Sequence, residues 1–178
     1  MNRRATADGT VLQSVEFSTG EEKADFLDAM ARFDARIPKL RRFAGDEAAR
    51  RDPNDRKGLA ETMFAIAARL HYVNDPRWEE FSDAWTALER GWGDCDDKSR
   101  VFVALCTAVG LEARIRPVFD HQGNFTHVQG EVRWPGSIKE KKAQPGGWIL
   151  AEFILRGSKL GDDPDDLPRD AAGRRVLY

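Results

Sequence analysis

Cysteine is scarce in this 178-residue chain, long apolar runs are missing, and net charge is nearly absent. Each absence excludes something. Two cysteines, Cys95 and Cys106, do not make a disulfide framework. On one helix their spacing would set them about 16 Å apart along the axis, beyond the reach of a bridge. Cys95, His121 and His127 have no ligand spacing of the CxxC kind, so no metal site and no cofactor are expected. A formal net charge of −2 and a pI near 6.0 supply no general basic field for nucleic acid. No apolar stretch approaches the roughly 20 residues of a membrane-spanning helix, and no membrane partner is expected. Met1-Asn2-Arg3-Arg4 runs into polar residues, not into the apolar core of a secretory signal. The expectation is a reduced, cytoplasmic protein. Internal repeats and low-complexity tracts are also absent.

What is present is ordinary for a soluble globular domain: 41% hydrophobic and 33% charged residues. The expected division is an N-terminal arm over 1–20, one domain over 21–156, and an acidic, Gly-, Pro- and Asp-rich extended tail over 157–178. Within the arm, Val11 to Phe17 reads as a short strand or an extended segment. Ser18-Thr19-Gly20 opens a helix that carries Phe26, Met30 and Phe33 on one face. After Pro38 comes a short charged segment to Arg51, helical or loop. Its basic cluster Lys39, Arg41 and Arg42 sits among acids and reads as a solvated face, not a nucleic-acid site. Gly58 to Val73 forms a second helix with Leu59, Met63, Ile66 and Leu70 in register. Arg77 to Arg90 forms a third, with Trp78, Phe81, Trp85 and Leu88 on one stripe.

The chain is organised around Gly91-Trp92-Gly93-Asp94-Cys95-Asp96-Asp97-Lys98-Ser99. Asp94 suits an N-cap, and Asp97 three residues on suits the return bond of a capping box. Val101, Phe102, Leu105 and Val109 then recur at helical spacing, and Gly110 ends the helix. Cys95 therefore falls in a first turn, where free N–H groups and the helix dipole ease ionisation of a thiol. Gly91 and Gly93 let a substrate carbonyl approach the backbone. Asp96 and Asp97 oppose this by adding negative charge. Asp96 is expected to face solvent or to pair with Arg100 or Lys98. Beyond the helix, 113–119 and 125–134 read as a hairpin turning at 120–124, with Pro117 marking an edge or bulge. Trp148 to Leu155 reads as an apolar strand carrying one carboxylate, Glu152. Helices first and strands last make the class α+β.

Gly93-Asp94-Cys95-Asp96-Asp97-Lys98-Ser99, the apolar helix behind it and Gly110-Leu111-Glu112-Ala113-Arg114 resemble the core of the transglutaminase-like superfamily. Tyr72-Val73-Asn74-Asp75 adds to the likeness, which runs from 72 to 155. The resemblance implies a papain-like core in which a small antiparallel sheet packs on the cysteine-bearing helix. It also implies Cys95 as nucleophile, His127 as general base and acid, and Glu152 as the carboxylate that orients the histidine, where the family more usually has Asp. Trp92, Gly93 and Asp94 would shape the site. The Cys95 N–H and one upstream donor, Trp92 or a residue of the Trp85 helix, would form an oxyanion hole.

The implied activity is acyl transfer at the amide bonds of a protein or peptide: hydrolysis, deamidation or crosslinking. Small proteins with a Gly-Asp-Cys-Asp-Asp core are also familiar among phage genes. A virion or assembly role with phage structural partners is therefore the alternative. Each residue also has a plainer reading: Cys95 a core thiol, His127 a strand histidine, Glu152 exposed or replaced by Glu131. Cys106 reads as core, His121 as an exposed turn residue, and His71 as a helix-ending cation.

Overall fold

The computed structural model describes residues 2–5, 11–14, 16–73, 82–120, 122–154 and 157–163. The chain begins with an antiparallel pair, β1 (Asn2–Ala5) and β2 (Val11–Ser14). Three helices follow: α1 (Gly20–Asp34), α2 (Pro38–Ala48) and α3 (Arg56–Ala68). Two two-residue strands, β3 (His71–Tyr72) and β4 (Trp92–Gly93), flank α4 (Ala84–Arg90) and pair in parallel. Then come α5 (Cys95–Ala108) and the three-stranded antiparallel sheet β5 (Glu112–Phe119), β6 (Phe125–Arg133) and β7 (Ile149–Ala151). Among the described residues no helix is long and apolar enough to cross a membrane.

Local chemistry explains the helix ends. Thr19 accepts the Glu22 N–H, and Glu22 returns a bond to the Ser18 N–H, a reciprocal cap at the start of α1. Pro38, expected to interrupt the chain, instead occupies the first position of α2, where its missing N–H costs nothing. Asp55 caps α3 through the Gly58 N–H.

Several expectations shift. The buried face of α1 is Ala24, Leu27, Ala31 and Asp34, while Phe33 is exposed. Small side chains let α1 lie close to α5, and the large aromatic is displaced outward. α3 ends at Ala68, so His71 and Tyr72 form a strand in place of a last helical turn. Of the stripe expected over 77–90, residues 77–81 lie outside the described residues; Trp85 and Leu88 pack against the core.

The core is built around α5. Helices α1, α2, α3 and α4 and strands β5 and β6 all touch it, and Val101, Phe102, Val103, Leu105 and Cys106 are fully buried. Each such apolar side chain contributes about 1.5–3 kcal/mol. Phe64, Phe102 and Phe153 form an aromatic cluster with centroids 5.1–6.3 Å apart. The sheet closes over it at Gly130, where a Cβ would stand 2.5 Å from Phe102 Cδ1. Gly130→Ala is therefore expected to cost about 1–3 kcal/mol by overpacking, read as a lower denaturant midpoint at unchanged slope.

The hairpin turn is held by Asp120, whose Oδ1 accepts the Gln122 and Asn124 N–H groups at 2.8 and 2.9 Å. β5 is an edge strand with its register shift at Val118/Phe119, which accommodates Pro117. β7 is shorter than the sequence suggests. Its pairing with β6 stops at Ala151, opposite Gly130, so Glu152 lies just beyond the strand.

Candidate active site

Three chain segments converge at the start of α5. The first is the Gly91–Asp94 turn. Gly91 is left-handed, with φ 76°, and ends α4. Gly93 sits so close to α5 that a Cβ on it would meet Asp97 Cβ at 2.5 Å. Asp94 then caps α5, its Oδ1 accepting the N–H groups of Asp96 at 2.9 Å and Asp97 at 3.2 Å. Asp97, expected to cap, directs its carboxylate to the Arg90 guanidinium. Arg90 also donates to the Trp92 carbonyl and Ser82 Oγ, and its guanidinium stacks 4.1 Å from the Trp92 ring. The turn that presents Cys95 is thus clamped from α4.

The second segment is β6. The Val128 N–H faces the Cys95 sulfur, one residue beyond His127. His127 is buried and directs Nε2 at both oxygens of Glu152, at 3.1 and 3.2 Å. Nδ1 is the ring nitrogen left over. The third segment is the bend after β7. Glu152 is fully buried and saturated. Besides His127, it accepts Gln129 Nε2 at 2.7 Å and the Phe153 and Ile154 N–H groups at 2.7 and 2.8 Å. Burial would raise its carboxyl pKa, but the His127 bond and charge, the Ile154 N–H and Gln129 outweigh burial and hold it below the ordinary value. A carboxylate at that depth requires such partners. Glu131, the alternative carboxylate, is taken by Arg114 and Arg116 at 2.6 and 3.4 Å.

Cys95 departs from expectation. Its thiol pKa is pushed up, first by burial, then by Asp96 and Asp94; the Val128 N–H and Lys23 only partly offset this. The thiol donates to Asp96 Oδ1 at 3.5 Å. Asp96 itself is buried and pairs with Lys23 at 2.6 Å, not with solvent, Arg100 or Lys98. Burial and the two nearby carboxylates together favour the protonated thiol at rest, against the easier ionisation expected of a helix N-terminus. Asp94, Cys95 and Asp96 do bring donor atoms within 4.8 Å of one another. Two of those side chains are already engaged, by the helix amides and by the Lys23 ammonium.

Lys98 and Arg100 are buried as well. Lys98 Nζ donates to the Ala68 and Leu70 carbonyls at the end of α3, and Arg100 binds Asp34 on α1. Of these partners, Gln129 had a readable signal: it lies two residues from His127 on the same strand face. Lys23, Asp34 and Arg90 had none within the motif. Cys106 is core. His121 lies outside the described residues.

A family model for the transglutaminase-like superfamily matches residues 45–153, more than half of the chain. Among solved structures, a candidate protease from Parabacteroides distasonis aligns with TM-score 0.53 and 13% identity, covering 75% of this chain and 29% of that one. A candidate cysteine protease from Cytophaga hutchinsonii aligns with TM-score 0.46 and 22% identity, covering 68% of this chain and 40% of that one. The chain thus spans less than half the length of either, and at 13% identity the likeness to the first is one of fold. No curated protein matches.

Proposed function

Because the chain belongs to the transglutaminase-like superfamily, we propose that it transfers acyl groups from amide bonds of a protein or peptide through Cys95. The observation that carries this reading is the ordered pair behind the cysteine. Glu152, saturated by three other donors, holds His127 through Nε2, and in this reading Nδ1 serves the thiol. A carboxylate on one ring nitrogen fixes the tautomer whose other nitrogen accepts a proton.

The raised thiol pKa decides the order of events. The thiolate is not stored at rest; His127 takes the thiol proton as the sulfur attacks the carbonyl carbon. Carbon–sulfur bond formation moves the carbonyl π pair onto oxygen. Return of that pair expels the amine, which leaves with the proton held by His127. Water or a second amine then attacks the thioester, His127 taking its proton; the carbon–sulfur bond breaks and the sulfur recovers that proton from His127 as the Cys95 thiol. Glu152 stays ionised and stabilises the imidazolium. The Asp96–Lys23 pair borders the thiol, which donates to Asp96 Oδ1 at rest and turns to His127 to react.

The test uses 4-nitrophenyl acetate and casein. About one equivalent of nitrophenolate per chain in a burst, with acetyl on the Cys95 peptide and none on Cys106, is the expected result. Cys95→Ser and His127→Ala should each abolish the burst. With casein, new amino termini report hydrolysis, ammonia alone reports deamidation, and high-mass products report crosslinking. A correctly folded protein whose Cys95 takes no acetyl sinks the reading and returns the chain to the assembly role.

A further inference from the structure

An acyl-transfer site needs two donors for the oxyanion, and the structure offers one plainly. Cys95 is the first residue of α5, so its N–H has no intrahelical acceptor. Asp94 Oδ1 takes the next two N–H groups and leaves that of Cys95 open.

We propose that the Tyr72 hydroxyl is the second donor, hydrogen-bonded to the oxyanion that forms when Cys95 attacks a carbonyl. The inference rests on the acyl-transfer reading above and adds a residue to it. Tyr72 is held beside the nucleophile turn by the parallel pairing of β3 with β4, in which it stands opposite Gly93. Two backbone bonds fix that register: His71 N–H to the Gly91 carbonyl at 2.9 Å and Val73 N–H to the Gly93 carbonyl at 3.2 Å. Gly93 presents no side chain of its own on this pair. Tyr72 is 39% exposed, so a bound substrate can reach it. Among the described residues its hydroxyl has no hydrogen-bond partner.

The electrostatics place the hydroxyl within the field of the site. Burial first, then Cys95, Asp94, Asp96 and Glu152, push its ionisation up. It therefore remains a neutral O–H, a donor, throughout the range in which a protein works.

Of the competing side-chain donors, Gln129 and Lys23 are occupied. The Trp92 ring lies against the Arg90 guanidinium and its residue stands opposite His71, not Tyr72's partner Gly93. Gln129 gives its amide to Glu152. Lys23 gives its ammonium to Asp96. Trp85 packs on Phe43, and its indole N–H, though unpartnered among the described residues, is buried from solvent and so from a substrate.

In the step itself, the carbonyl π pair becomes the oxyanion lone pair. The Cys95 N–H and Tyr72 O–H donate to it without losing their protons. Collapse of the adduct returns the pair and breaks both hydrogen bonds.

Two reactions of the same sulfur separate this role from a structural one. Acetylation by 4-nitrophenyl acetate passes through an oxyanion. Alkylation by iodoacetamide is a displacement at saturated carbon and forms none. Tyr72→Phe, which removes one oxygen atom, is expected to slow acetylation by about 10²- to 10³-fold and to leave alkylation within about twofold of wild type. Acetylation at the wild-type rate overturns the proposal, as does an equal fall in both reactions. A wild-type protein that alkylates at Cys95 without acetylating overturns the acyl-transfer reading and this inference with it. Wild-type acetylation unaffected by Tyr72→Phe overturns the inference alone.

Discussion

Glu152→Gln is expected to leave the protein folded and to slow acylation of Cys95 by about 10³- to 10⁴-fold. The reason lies in which atoms the new amide offers. Oε1 of Glu152 accepts the Phe153 and Ile154 N–H groups at 2.7 and 2.8 Å. A glutamine keeps these bonds by placing its oxygen there. Its NH₂ group then faces Gln129 and His127. Gln129 can turn its own amide and accept. Against that NH₂ group His127 can accept only through an unprotonated Nε2, which puts the ring proton on Nδ1, the nitrogen needed for the thiol. The 3.1 Å contact of Nε2 with the oxygen is then to a neutral amide that no longer stabilises an imidazolium. Structure survives and the base is lost.

Glu152→Ala separates the two roles in the other direction. It strands both backbone N–H groups and the Gln129 amide in a buried site, at about 1–3 kcal/mol for each group left unsatisfied. The pH dependence supplies an independent check. The Glu152 carboxyl pKa is depressed in the fold. Its contribution to stability is present above the ordinary glutamate value of about 4.5 and is lost as pH falls through the depressed one. The difference in melting temperature between wild type and Glu152→Gln should therefore narrow from pH 5 to pH 3. A gap that widened toward acid would contradict an ionised Glu152.

Glu152 also marks the limit of what residue patterns reveal. A lone carboxylate in an apolar run, with a histidine on the preceding strand, points to a buried pair because isolated burial is so costly. The cysteine was legible for a different reason: the Gly-Asp turn, the cap and the apolar period of α5 are all local in sequence. So were the hairpin and the edge character of Pro117. The parallel pairing of β3 with β4 was not. Two residues on each side leave no period, and the partners are 21 positions apart. The charges of the motif misled for a related reason. Asp97 reads as a cap, and Asp96 as facing solvent or pairing within the motif with Arg100 or Lys98, but α5 is enclosed on all sides. Their counterparts come from Lys23 and Asp34 on α1, from carbonyls at the end of α3 and from Arg90 on α4. Periodicity reports which residues are apolar; it cannot report a cation arriving from another helix.

The innermost of these pairs carries the other large effect. Arg100 donates through Nε to Asp34 Oδ2 at 2.6 Å and through Nη1 to the Ser82 carbonyl at 2.6 Å. The same Asp34 oxygen accepts the Ala84 N–H at 2.9 Å, at the start of α4. One buried contact thus ties α1 and α4 to α5 just behind the Gly91–Asp94 turn. Arg100→Met keeps the aliphatic stem and removes the charge, leaving the Asp34 carboxylate buried and unneutralised. The expected loss is about 3–5 kcal/mol, a large share of the 5–15 kcal/mol or so that holds a domain together. Asp34→Leu combined with Arg100→Met should recover much of it, since no charge then remains to desolvate.

The pH dependence runs opposite to that of Glu152. Burial already raises the Asp34 carboxyl pKa against the pull of Arg100, and losing the guanidinium raises it further. An acid whose folded pKa lies above its unfolded value is easiest to bury at low pH and costs stability as pH rises through the folded value. The deficit of Arg100→Met, measured by urea unfolding, should be smaller at pH 5 than at pH 8, and in the double variant the pH dependence should disappear. Equal deficits at the two pH values would mean that Asp34 escapes to water when its partner is removed, and that α1 is held to α5 by its apolar face alone.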